Sequence, residues 1–170
     1  MRKQEGFSLI ELLIVVAIIL IIAVIAIPNL MRARMAANDA SAAESLRQIN
    51  TAEIAYAGAY PTLGFAVLTA LGGASPCTPV AASACLVDNS LATSAGGSGK
   101  SGYNFTAAGS ASAGSNINDL FFSTGTPVSA TTGTRAYCSI EDAVLRLQPA
   151  GNITLVANHD ACLLLSAMSN

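Results

Sequence analysis

Twenty consecutive residues, Leu12 to Met31, pass without one charged side chain. At 1.5 Å per residue a helix of that length covers roughly 30 Å, the thickness of a bilayer hydrocarbon core. The stretch is therefore long and apolar enough to cross a membrane, and one residue sits against that reading. Glu11 lies at the very start of the apolar run, where an unpaired carboxylate costs at least ~2.5 kcal/mol. Such a charge needs a partner. Arg2 and Lys3 precede the run, the bias expected of a segment whose N-terminus stays on the cytoplasmic side. A secretory signal has the same basic start, but its apolar region is only about 7–15 residues long and is followed by a small-residue cleavage site. Here the run is longer and leads directly into a helical pattern, so the apolar segment is retained. The candidate processing site lies on its other side, where Gly6 is followed by Phe7, Ser8 and Leu9.

The short basic leader ending in Gly6, the run Phe7-Ser8-Leu9-Ile10-Glu11-Leu12, the apolar segment after it and Pro28 together resemble the type IV pilins, specifically the short-leader type IVa class. The resemblance rests on the first ~35 residues. It implies that a prepilin peptidase cuts between Gly6 and Phe7 and methylates the new amine of Phe7. It also implies that Glu11 docks each subunit into a helical homopolymer by pairing with the Phe7 amine of a neighbour. Physical chemistry points the same way: inside a bundle of apolar helices an ammonium–carboxylate pair enforces register, because removing one partner strands a buried charge at ~3–5 kcal/mol. Pro28 lacks an amide hydrogen and clashes with the preceding turn, a built-in weak point in any helix that contains it. By resemblance, the helix loses order around this proline in the filament.

After Pro28 the pattern becomes amphipathic. Leu46, Ile49, Tyr56 and Tyr60 recur at helical spacing, with Ala42, Ala43 and Ala57 filling the stripe and Glu44, Arg47 and Asn50 assigned to the opposite face. One helix of ~50 residues is expected, ending before Pro61. Arg32 and Arg34 just past the apolar segment would meet lipid headgroups, or carboxylates such as Asp39 or Glu44 of a neighbour. From Tyr60 to Gly73 the chain reads as a loop enclosing a short helical turn around Phe65, Val67, Leu68 and Leu71. Ala92 to Asn116 is rich in Ala, Gly and Ser and reads mostly as loop, with a possible strand at Gly102–Thr106. Leu120–Ser129, a strand within Ala136–Gln148, and Ile153–Ala157 read as an antiparallel meander separated by turn residues. The expected architecture is α+β: a long N-terminal α-helix, its first half transmembrane, packed on a C-terminal antiparallel β-sheet, which is also the pilin fold by resemblance. The divisions are a leader at 1–6, a membrane or filament-core helix at 7–30 and a globular head at 31–170.

Four cysteines in a domain facing an oxidising compartment suggest disulfides, and four allow three pairings. The favoured set is Cys77 with Cys85, closing a short loop, and Cys138 with Cys162, stapling the meander to the following chain. The second pair resembles the C-terminal disulfide loop of many pilins. No two cysteines stand at zinc-ligand spacing, and the single histidine is His159, so no metal is expected. His159 next to Asp160 and near Cys162 is a weak nucleophile pattern, and Asp88-Asn89-Ser90 offers few oxygens for calcium. No catalytic residue and no cofactor are assigned. The formal charge of −2 falls to about −3 without Arg2, Lys3 and Glu5, and the head lacks the clustered cations that nucleic-acid binding requires.

The resulting expectation is a structural subunit of a type IV pilus, serving adhesion or twitching motility. Its partners are other copies of itself, prepilin peptidase, the inner membrane and the pilus assembly machinery. The precursor would span the inner membrane once with its N-terminus cytoplasmic, and the assembled form would be an extracellular pilus. The alternative is a minor pilin or a type II secretion pseudopilin.

Overall fold

The computed structural model of the chain describes residues 7–96 and 99–168. The leader 1–6, including Gly6 of the expected processing site, lies outside the described residues. The chain divides into two compact units, Met1–Arg34 and Met35–Asn170. Helix α1, Leu9–Ala59, is the first element of the fold. It stops where Tyr60 precedes Pro61, a position from which the helical conformation is sterically disfavoured.

Within the larger unit, α1 buries Ala42, Ala43, Leu46, Ile49, Ala52 and Tyr56. These residues stand three or four apart, so they form one face, and the small alanines let other elements approach closely. Packed on that face are Leu68 and Leu71 of α2 (Leu68–Leu71) and Tyr103, Phe105 and Ala107 of β1 (Tyr103–Ser110). The stripe is wider than the apolar residues alone suggest. Asn50, expected on the solvent face, is buried and donates to Ser139 Oγ at 2.8 Å. Four residues past Leu46 it has turned only ~40° from it around the axis, which leaves it inside the covered arc.

The sheet is a five-stranded antiparallel meander in the order β1-β2-β3-β4-β5, with β2 at Leu120–Pro127, β3 at Tyr137–Ile140, β4 at Arg146–Leu147 and β5 at Ser166–Ala167. β1 pairs with β2 along its whole length, from Tyr103 opposite Pro127 to Ser110 opposite Leu120. Alternation then sorts the side chains. Tyr103, Phe105 and Ala107 face the helix, as do Ser139 and Tyr137 of β3, whereas Thr106 and Thr124 meet on the other face with their hydroxyls 2.8 Å apart. Gly125 is required where the layers come closest: a Cβ there would lie 2.9 Å from Phe105 Cε1 and 3.4 Å from Leu46 Cδ1.

The second face of β2 and β3 is covered too. Cys138, Ile140, Val156 and Cys162 form a separate buried cluster, with Phe122 and Leu165 packed against it. Cys138 is bonded to Cys162, Cα–Cα 6.0 Å, and Cys162 lies on α4 (His159–Leu163). The other bridge joins Cys77 to Cys85, Cα–Cα 6.1 Å.

Three expectations for the sheet region are corrected. Ile153–Ala157 is not a strand: Val156 is buried against the outer face of β3 instead of extending the sheet edge, and β5 takes that edge. The segment Ala136–Gln148 holds two strands rather than one, because Glu141-Asp142-Ala143 turns the chain, with Ala143 at φ 57° and the Asp142 carboxylate accepting the Val144 N–H and both Arg146 guanidinium nitrogens. Within Ala92–Asn116, β1 extends to Ser110, since small side chains leave the ladder with β2 unobstructed.

Polar ties close the head. Asp39, a candidate partner for a neighbour's arginine, is committed internally: it accepts from the Tyr103 hydroxyl at 2.5 Å, the Thr134 N–H at 3.0 Å and the Thr134 hydroxyl. Burial first, and then the Asp39 carboxylate, push the Tyr103 hydroxyl far above its ordinary value. Glu44 pairs with Arg47 at 3.5 Å on an exposed surface, worth little on its own. His159 Nε2 lies 3.0 Å from both Glu141 oxygens, and that hydrogen bond raises the imidazole above its usual value.

The two bridges should differ in worth. On loop-closure entropy, replacing Cys138 and Cys162 by alanine is expected to cost about 3.5 kcal/mol and replacing Cys77 and Cys85 about 2.6 kcal/mol. Thermal unfolding of the two double variants of the full chain in detergent micelles checks this order. A larger loss from the Cys77/Cys85 variant contradicts it.

Candidate functional site

The chemistry singled out in the sequence lies in the N-terminal unit, built on the first half of α1. From Leu9 to Leu30 every large aliphatic side chain is 47–80% exposed, and these side chains point in all directions around the axis. A surface of this kind is stable only under a sheath of lipid or of other apolar helices. The helix is long and apolar enough to cross a membrane.

At its start, Ser8 stands just outside the first helical residue and its backbone N–H donates to Glu11 Oε2 at 3.1 Å. The Leu12 N–H donates to the Ser8 carbonyl at 3.3 Å, the first rung of the helix. Ser8-Leu9-Ile10-Glu11 thus supplies the carboxylate half of a capping box, in which the third helical residue satisfies the N-cap amide. A negative charge in the first turn also complements the helix dipole. The reading of Glu11 from sequence missed this local partner, although the Ser-x-x-Glu spacing before an apolar run was a legible signal for it. Phe7 is 87% exposed.

Pro28 lies inside α1, which continues through it. Proline has no N–H, so the Val24 carbonyl lacks its usual donor four residues on. One residue further along, Asn29 Nδ2 adds a second donor to the Ile25 carbonyl at 3.1 Å. Arg32 and Arg34 follow on an exposed surface.

The remaining sequence candidates sit in the head and are engaged there. Asp88 caps the short helix α3 (Asn89–Ala92) through the Leu91 N–H at 2.9 Å and also receives Ser90 and Lys100, which together hold it down at about 2. Among the described residues no group of three His, Cys, Asp or Glu side chains is placed to hold a metal ion.

Residues 1–27 match the family described as the prokaryotic N-terminal methylation motif. The N-terminal segment is similar to that of a type IV pilin. It is 64% identical over 39 residues to the type IV wide pilus major component PilA4 of Thermus thermophilus, an alignment covering 23% of this chain and 30% of that protein. The chain thus spans less than a third of the length of that relative, and the family match covers Phe7 and Glu11. No solved structure gives a significant match. The α+β architecture, a long N-terminal helix followed by an antiparallel sheet, agrees with the fold expected from the sequence.

The capping contact can be separated from the charge. Glu11→Ala removes both, whereas Glu11→Gln keeps an acceptor for the Ser8 N–H. With a cap worth ~1 kcal/mol, exchange of the Ser8 and Leu12 amides in micelles should rise about fivefold in the alanine variant and stay near wild type in the glutamine variant. Equal exchange in both variants contradicts the cap.

Proposed function

We propose that this chain is a structural subunit of a type IV pilus. It is cut between Gly6 and Phe7 by prepilin peptidase, methylated on the Phe7 amine, and polymerised through its N-terminal helix into an extracellular filament that serves adhesion or motility. The observation that carries the reading is one carboxylate, Glu11, at the head of an uncovered apolar helix inside a matched methylation motif. Before the cut, residue 7 offers a neutral amide. Afterwards it offers an ammonium, and in a low-dielectric bundle an ammonium competes far better for Glu11 than the Ser8 N–H does.

In this reading the precursor spans the inner membrane with Arg2 and Lys3 on the cytoplasmic side. Assembly then exchanges lipid for neighbouring helices around Leu12–Leu30. The gain per side chain between two apolar media is small, so packing and the Glu11 pair decide register. Pro28 is the point at which the helix yields when subunits pack, because one backbone bond is already missing there.

The decisive experiment is to shear cells, collect filaments, and determine the mass and N-terminus of the main component in wild type, Gly6→Ala and Glu11→Gln. Wild type should yield filaments of a chain beginning at N-methyl Phe7. Gly6→Ala should leave uncut precursor in the membrane. Glu11→Gln should be cut normally yet give less than about a tenth of the filament yield. Normal yield from Glu11→Gln refutes the charge pair. Processed wild-type protein confined to the envelope fraction refutes the pilus in favour of a minor pilin or secretion pseudopilin.

A further inference from the structure

Among the described residues the head contains one fully buried carboxyl group, and no part of the pilus reading uses it. Glu53 lies on the inner face of α1, seven residues beyond Leu46 and three before Tyr56, and it is fully buried. Its Oε2 accepts the Ala66 N–H at 2.9 Å, and its Oε1 is buried with no hydrogen-bond partner among the described residues.

Ala66 belongs to the segment Tyr60–Val67, which crosses from the end of α1 to α2. That segment is tied to the sheet side by backbone bonds: Gly109 N–H to the Ala66 carbonyl at 3.0 Å, Phe65 N–H to the Asn118 carbonyl at 2.7 Å, and Asn118 N–H to the Leu63 carbonyl at 3.0 Å. Asn118 Nδ2 adds a bond to the Phe65 carbonyl at 3.0 Å. Gly109 makes the approach possible, since a Cβ there would fall 2.2 Å from the Phe65 carbonyl oxygen. On the helix side, the Glu53 carboxyl is what receives it.

We propose that Glu53 is a proton-operated latch between α1 and the segment Tyr60–Val67: carrying a proton it holds the segment closed over the core, and giving the proton up loosens it.

The surroundings leave the carboxyl no other way to carry charge. Tyr60 to Val87 contains no Asp, Glu, Lys, Arg or His, and neither do β1, β2 and β3. The titratable groups near it are tyrosines: Tyr56 on α1, whose hydroxyl donates to the Ala81 carbonyl at 2.8 Å, and Tyr60, whose ring lies 4.8 Å from that of Tyr56. Neither is a cation. A neutral carboxyl at this place satisfies the Ala66 N–H with its carbonyl oxygen, whereas a carboxylate buries a full charge against a single N–H donor. Burial accordingly pushes Glu53 up from 4.5 to about 7, with the Ala66 N–H pulling partly back. The folded head therefore holds this proton more tightly than the unfolded chain does. The stability tied to the proton is fully present below pH 4.5 and is lost as the pH rises through about 7. The latch belongs to the head alone and stands or falls independently of the filament reading.

Three measurements on the full chain in detergent micelles test it. The carboxyl ¹³C titration of Glu53 in the wild-type chain should have its midpoint above pH 6, and a midpoint below pH 5 overturns the proposal. Between pH 5 and pH 8.5 the wild-type Tm should fall about 5–10 °C further than that of Glu53→Gln, and parallel profiles overturn it. His159 is unchanged in both chains, so its pH response cancels in that difference. Exchange at the Ala66 amide, corrected for its intrinsic pH dependence and referred to Leu46, should rise about tenfold over the same range in wild type and stay level in Glu53→Gln. A rise of the same size in the variant overturns the latch. If Glu53→Gln does not fold, the wild-type titration and the wild-type Ala66 exchange decide: a flat exchange profile there overturns it as well.

Discussion

The N-terminal part of α1 is apolar on every side, and its large side chains stay exposed along the whole run. That constraint governs the rest of the chain. A helix of this kind cannot be satisfied in water, so its residues up to about Met31 belong to lipid or to other helices, and solubility has to come from the residues after them. The same helix therefore changes composition along its length, from leucine, isoleucine and valine all round to a stripe in which alanines alternate with larger side chains. The head is assembled on that stripe, and its first layer is set by what can lie close to Ala42, Ala43 and Ala52.

The head is held more by packing and neutral hydrogen bonds than by charge. Its inner face carries Asn50, Ser123 and Ser139 in one buried polar cluster, with each side chain paired, as a buried network has to be if it is not to destabilise. Asp39 gathers Tyr103 and Thr134 at the other end of the helix face. The ion pairs lie nearer the surface and contribute correspondingly less. Against this neutral interior Glu53 and His159 are each held above their ordinary values and add stability that is lost as the pH rises, whereas the depressed carboxylates of Asp88 and Asp142 act in the opposite direction.

Much of this was legible in the residues, for reasons that can be named. The long helix, its end before Pro61, and the alternation Tyr103/Phe105 follow from local rules of period and sterics, which hold without tertiary help. The strands Leu120–Pro127 and Tyr137–Ile140 stand out because apolar and β-branched or aromatic side chains recur between turn residues. Ile153–Ala157 misled because a short apolar run looks the same whether it pairs edge-on or covers a sheet face; only the position of Cys162 behind β3 separates the two. Polar identity misleads at Asn50, which is expected on the solvent face and is buried, and Glu53 drew no expectation although residues 46, 49, 53, 56 and 60 form an unbroken three–four repeat with Glu53 inside it. In the N-terminal segment the motif is legible in the residues, whereas a buried-charge argument points to a distant partner for Glu11 and so passes over the local Ser8 contact.

The two disulfides join cysteines that are neighbours in sequence order, the first with the second and the third with the fourth. Of the three possible connectivities, this is the one that a chain oxidised in order of emergence reaches by default. When Cys85 meets oxidant, Cys77 is the only thiol before it, and by the time Cys162 arrives the earlier pair is already spent, leaving Cys138. The order in which the cysteines emerge thus favours the native pairing over the two alternatives.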